Sequence, residues 1–269
     1  MIIVILPVIS LTRGIIFGKV ASQTTIMNWL AIHEKFYKNW QLLAVFILAM
    51  IFFVVTSGFI SLMNEDGLIK WLSPDENANY YFTKLYAEHD TLIAFDKDNK
   101  AVQEIIHPRS FRSDLGELKP VSFLGIILIY GSLAKLFGIQ IIPYLTPMFA
   151  SFGIIFYYLL IKQIFDKKID LLSAVLLSFF PVYIYYTARS MFHNILFTVF
   201  FIIGLYFLVK IVSKKKIGDD KVYLKEFILN FFKYKKGDLH GLMMSALSGL
   251  FFGLAVLTRT SEMLWLLPA

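Results

Sequence analysis

An all-α bundle of membrane-spanning helices is the fold class this sequence predicts, and three observations carry it. Hydrophobic residues make up 58% of the 269 positions, Phe alone contributing 27, and mean hydropathy is +0.67, too apolar for a water-soluble domain of that length. The apolar residues fall into runs long enough to cross a bilayer. The lysines gather in the loops between those runs, so the net charge of +7 is a topology signal, and nucleic acid is excluded as a partner. Cysteine is absent, which excludes disulfides and thiolate metal sites.

Residues 1–39 stay unassigned or interfacial, because Arg13 interrupts the first apolar stretch and would lie mid-bilayer if that stretch continued. The first span is 40–63, with Lys35 and Lys38 before it and Trp40 as interface anchor, so its start is cytoplasmic. The polar loop 64–119 then lies outside, and its acids outnumber its bases. Residues 120–137 are apolar but short, broken by Gly125 and Gly131, and carry Lys135. They are predicted to form a helix lying along or dipping into the outer interface. Spans follow at 141–161, 171–186 and 191–212, which keeps Lys162, Lys167, Lys168 and Lys214 to Lys216 inside. An amphipathic surface helix is expected at 223–234, and the last run, 241–267, is rich in small residues suited to close helix packing. That run is still apolar when the chain stops at Pro268-Ala269. We therefore expect the N-terminal part of a longer protein, incomplete and inactive by itself.

Chemistry is expected in the loop. Ser73 can cap a helix whose first position is Pro74, with Glu76 reaching back to the Ser73 backbone as in a capping box. The positive end of that helix favours negative charge on Asp75, the state a general base needs. Acids also collect in first turns with no chemical role, and only the site's place between spans shifts the odds. The outer side also holds His107, Arg109, Arg112, Lys119, and the stretch from Tyr185 through Arg189 to His193 and Asn194. Carboxylates beside cations at a membrane surface suit an anionic lipid head group. Glu104 and His107 are spaced to share a helix face, a weak metal signal without further ligands.

The order of these features resembles the GT-C superfamily of membrane glycosyltransferases, in the branch of protein mannosyltransferases and aminoarabinose transferases. The corresponding elements are Pro74-Asp75-Glu76, Leu118-Lys119-Pro120-Val121 with Leu136-Phe137-Gly138, Phe180-Pro181 with Tyr186-Thr187-Ala188-Arg189-Ser190, and the closing block from Gly249 to Thr258-Arg259. The resemblance implies a GT-C-like transmembrane domain over 40–269 with an external catalytic loop at 64–119. It implies Asp75 and Glu76 as the catalytic acids, Lys119 as a contact to the donor phosphate with Arg109 or Arg112 beside it, and Arg189 as an organiser of the second external loop. Two positions depart from the pattern. Asn77-Ala78-Asn79 stands where aminoarabinose transferases have an arginine, and Asn194 stands where many members carry an acid.

The expected function is transfer of a sugar from a polyprenyl-phosphate donor to a protein or lipid acceptor at the non-cytoplasmic face of the plasma membrane. Donor and membrane lipids are the expected partners. No cofactor is predicted, and a divalent metal stays open. The rival readings are a transporter subunit and a non-catalytic membrane scaffold. Transporters place ionisable groups within their spans, and here those spans offer few beyond His193 and Arg259. Arg259 either snorkels to the outer interface or pairs in the membrane with an acid or lipid phosphate, a structural or lipid-facing role being preferred.

Overall fold

The computed structural model describes residues 23–65, 68–69, 71, 73–121, 123–165, 167–213 and 239–262. The chain divides into two units, residues 1–44 and 45–269. The described part of the first is helical, the beginning of α1 (Gln23–Leu62). The remainder of α1 opens the second unit, which is mostly helical as the composition predicts. The amphipathic segment expected at 223–234 lies outside the described residues.

Four described helical segments are long and apolar enough to cross a membrane: Trp40–Leu62, Ile139–Ile164, His193–Ile211 and Gly241–Thr258. They fall in α1, α5 (Ile142–Ile164), α8 (His193–Ser213) and α9 (Leu239–Thr258). The single helix expected at 171–186 is instead two, α6 (Lys167–Ser178) and α7 (Pro181–Arg189), with a 49° bend between them. Pro181 disfavours helical geometry at the preceding residue, and Phe180 duly sits at φ −69°, ψ 119°. Tyr183 then ties α7 to α5, its hydroxyl donating to Ala150 O at 2.7 Å.

Helix α4 (Leu124–Phe137) has 14 residues, about 21 Å at 1.5 Å per residue, too short for a hydrocarbon core of roughly 30 Å. It lies against α2 (Pro74–His89) of the polar loop. The two helices meet at Gly131, where an added Cβ would fall 2.6 Å from the Tyr86 ring. At its other end, α4 meets the end of α9: a Cβ on Gly125 would fall 2.5 Å from Leu257 O and 2.6 Å from Thr258 Cα.

Two buried clusters organise the second unit. One packs Val45 and Phe52 of α1 with Ile154 and Tyr158 of α5 and Val199 of α8. The other packs Phe82 of α2, Ile126 and Tyr130 of α4, Leu145 of α5, Leu196 and Phe200 of α8, and Ala255 of α9. Through that second cluster, the loop helix α2 is built into the same core as the spans.

The loop also contains strands that apolar periodicity does not reveal, since runs of two to four residues are below what a period-two pattern resolves. Asn64–Glu65 (β1) pairs with Leu68–Ile69 (β2). A three-stranded antiparallel sheet follows, ordered β3 (Ala94–Phe95), β5 (Glu117–Pro120), β4 (Phe111–Asp114). β4 and β5 join through Leu115 and Gly116, both at positive φ (53° and 85°), the primed hairpin geometry that suits strand twist. Glu104 staples this hairpin by accepting from Gly116 N at 2.7 Å, Asn99 Nδ2 at 3.0 Å and Ser113 Oγ. It sits at φ 69°, outside the short helix α3 (Lys97–Ala101). The helix face expected to join it to His107 does not form; the His107 ring bonds the Glu104 carbonyl at 2.7 Å instead.

Candidate functional site

The start of α2 is capped as the sequence predicts. Ser73 is the N-cap, Pro74 opens the helix, and Glu76 Oε2 accepts from Ser73 N at 2.9 Å. Asp75 therefore lies in the first turn, where aligned peptide dipoles favour a negative charge. Its Oδ1 accepts from the hydroxyl of Ser110, which reaches it from the residue before β4 at φ 71°.

Glu76 points the other way, into the protein, and is 1% exposed. It forms a bidentate pair with Arg189 at the end of α7: Nε donates to Oε1 at 2.9 Å, and Nη2 donates to Oε2. Such paired contacts are the strongest a carboxylate makes with a side chain. Arg189 is itself held by Tyr185, whose hydroxyl accepts from Nη1 at 2.8 Å, and by the Tyr185 and Phe192 rings, 5.5 and 5.2 Å from its guanidinium carbon. One turn along α2, Asn79 Nδ2 donates to Met191 O at 2.8 Å. The α7–α8 connection is pinned from its far side too, Ser190 bonding Pro143 O and its own carbonyl accepting from Thr146. Glu76 and Asn79 thus dock the loop onto the 189–191 connection, and Asp75 and Arg189 share one end of the bundle.

His193 begins α8 beside this connection. Its ring stacks on Phe123, the residue before α4, with centroids 3.6 Å apart and planes 13° apart. The charges of Asp75 and Arg259 both act on it. Arg259 follows α9 directly, next to the Gly125 contact.

The remaining sequence candidates are spread around the loop. Lys119 lies on β5 opposite Arg112 on β4, and its ammonium pairs with Glu117 at 2.6 Å. Both cations are on the strand face opposite Phe111, which packs against Phe82 at 4.9 Å. Arg109 lines a groove of about 840 Å³ beside α2, with Lys84, Trp71, Tyr80, Tyr81 and Phe111. Asn194 is half-buried in the first turn of α8. Among the described residues, no three His, Cys, Asp or Glu side chains are grouped so as to hold a metal ion. Sequence reasoning names His193 only within the 185–194 stretch and as an ionisable group of a span, gives it no role, and does not select Ser110 or Phe123. A histidine opening an apolar span was the one available signal.

Fold and site define an integral membrane protein whose polar loop is locked, through one buried ion pair and one apolar cluster, over a helical bundle. Residues 126–223, about a third of the chain, match the family model of the dolichyl-phosphate-mannose-protein mannosyltransferases, so this stretch is similar to that family of membrane glycosyltransferases. No curated protein and no solved structure matches the chain. The matched stretch contains Arg189, His193 and Asn194 but not Asp75, Glu76 or Lys119.

Proposed function

We propose that the protein transfers a sugar from a polyprenyl-phosphate donor to a protein or lipid hydroxyl at the non-cytoplasmic membrane face, with Asp75 as general base. The Glu76–Arg189 pair is the observation that carries this reading. It fixes the carboxylate next to it in sequence against the family-matching helices, giving the fixed geometry that acid–base chemistry needs.

Ser110 engages Asp75 Oδ1, so Oδ2 is the oxygen left for the acceptor. As the acceptor oxygen bonds to the anomeric carbon, its proton passes to Oδ2. The bond from that carbon to the phosphate oxygen breaks, and its electron pair leaves on the lipid phosphate. Phosphate is a good leaving group, so a second carboxylate as general acid is not required. Glu76, with both oxygens engaged, acts as a positioning residue. Lys119, Arg109 and Arg112 draw the anionic donor to the loop, and Lys119 exchanges Glu117 for phosphate when the donor arrives. Lys119 is four residues before Phe123, at most about 14 Å along extended chain.

Membrane vesicles containing the protein as its gene encodes it, supplied with polyprenyl phosphates carrying labelled mannose, glucose or arabinose, test the reading. Consumption of one donor with release of polyprenyl phosphate is expected, and an unchanged pool of all three would reject it. The face is tested separately by cysteines introduced into this cysteine-free chain. An impermeant maleimide should label Asp98→Cys, on exposed α3, in intact cells, and Lys215→Cys only after permeabilisation. The opposite pattern would invert the topology.

A further inference from the structure

The base needs a counterpart: a place for the phosphate that leaves, on the other side of the sugar. We infer that His193, at the N-terminus of α8, hydrogen-bonds the phosphate of the lipid donor through its Nδ1. The inference rests on the polyprenyl-phosphate reading and names the residue that holds the group which departs.

Four observations meet at this side chain. His193 is 6% exposed, yet among the described residues its Nδ1 has no hydrogen-bond partner. A buried polar atom left unmatched is costly, and one that is kept in a native structure calls for a reason, such as a catalytic role or a bound ion. The ring does not reach its position by default. Phe123 holds it face to face at 3.6 Å from a left-handed backbone (φ 63°), a conformation unfavourable for a bulky residue and kept only where the surroundings enforce it.

The surroundings also have the right polarity. His193 opens a helix of 21 residues, whose free N–H groups and dipole favour an anion at that end. Arg259 is brought to the same place by the backbone contact between Gly125 and residues 257–258. Asp75 and Arg259, one negative and one positive, both act on the imidazole. Displacement at an anomeric carbon requires both signs, with the base towards the attacking hydroxyl and positive potential towards the leaving oxygen. A neutral imidazole with its proton on Nδ1 donates to a phosphate oxygen and adds no charge to neutralise.

Equilibrium binding of a polyprenyl phosphate and of the corresponding polyprenol to the purified protein, in nanodiscs of fixed lipid composition, provides the test. Wild type should prefer the phosphate. His193→Phe keeps an aromatic ring against Phe123 and removes the nitrogen, so phosphate affinity should fall about tenfold while polyprenol affinity holds. His193→Gln loses the ring but keeps a donor, and should recover most of the loss. Phosphate binding by His193→Phe equal to wild type would overturn the assignment, as would an equal fall for both lipids, which marks a structural role. Should a variant fail to fold, the wild type decides alone. Polyprenyl phosphate, but not polyprenol or inorganic phosphate, should slow carbethoxylation of His193 as read by peptide mass, and equal rates would overturn the inference. Wild type that does not distinguish phosphate from polyprenol would instead remove the donor reading itself.

Discussion

Asp75→Asn lowers turnover by roughly 10²- to 10⁴-fold, the share a positioned general base contributes, and leaves the protein folded and inserted. The fold should survive because the groups that build this turn lie elsewhere. Ser73 supplies the cap, Pro74 the pre-set backbone, and Glu76 the return bond to Ser73 N. An asparagine oxygen still accepts from Ser110, so the side chain keeps the contact that orients it. What is lost is the ability to take a proton. In the proposed mechanism other residues hold the phosphate, so donor affinity should change little and the loss should fall on turnover. Release of polyprenyl phosphate measured over time in vesicles of matched protein content checks this. Turnover within a few-fold of wild type would remove Asp75 from the mechanism.

The sequence exposed what is local and hid what is distant. Ser73, Pro74 and Glu76 could be read as a capping box because all three members lie within four residues, and the structure has that box. The shortness of α4 is legible for a similar reason: its bounds are read within one segment, and the structure gives a helix of 14 residues there. The break at Pro181 was available to the same local reasoning, through the restriction proline places on Phe180. The flanking residues hide it, being apolar enough to read as one span.

The site was legible in its parts but not in its joints. Arg189 and Glu76 were both selected, yet nothing local pairs residues 113 apart. Their bond depends on α7 and α2 arriving at the same end of the bundle. His193 is marked by a stack on Phe123 and by an unmatched nitrogen, both consequences of tertiary packing. Glu104 shows the reverse case, in which a spacing that suggested ligation belongs to a carboxylate closing a hairpin.

Glu76→Gln should be the most damaging single substitution to the fold at this site. The carboxylate is 1% exposed, and the Arg189 side chain is 20% exposed, so neither partner can readily turn to water. Removing one charge from a buried pair typically costs about 3–5 kcal/mol, because the other stays behind uncompensated. Glutamine also brings an amide NH₂ to a guanidinium that can only donate, so one of the two parallel bonds becomes a donor–donor contact. The bond from Ser73 N can survive on the remaining oxygen, which confines the damage to the joint between α2 and α7. A shift of that joint by about 1 Å is enough to cost two orders of magnitude in a positioned reaction, so activity should fall along with thermal stability although Asp75 is intact. The double variant Glu76→Gln with Arg189→Gln separates the two causes. With no stranded charge, it should regain a large part of the lost stability, while the activity stays low because the loop is no longer clamped. Thermal unfolding of purified protein alongside the donor assay reads both. If Glu76→Gln melts with wild type, or if the double variant is as unstable as the sum of the single ones, the pair is not what locks the loop to the bundle.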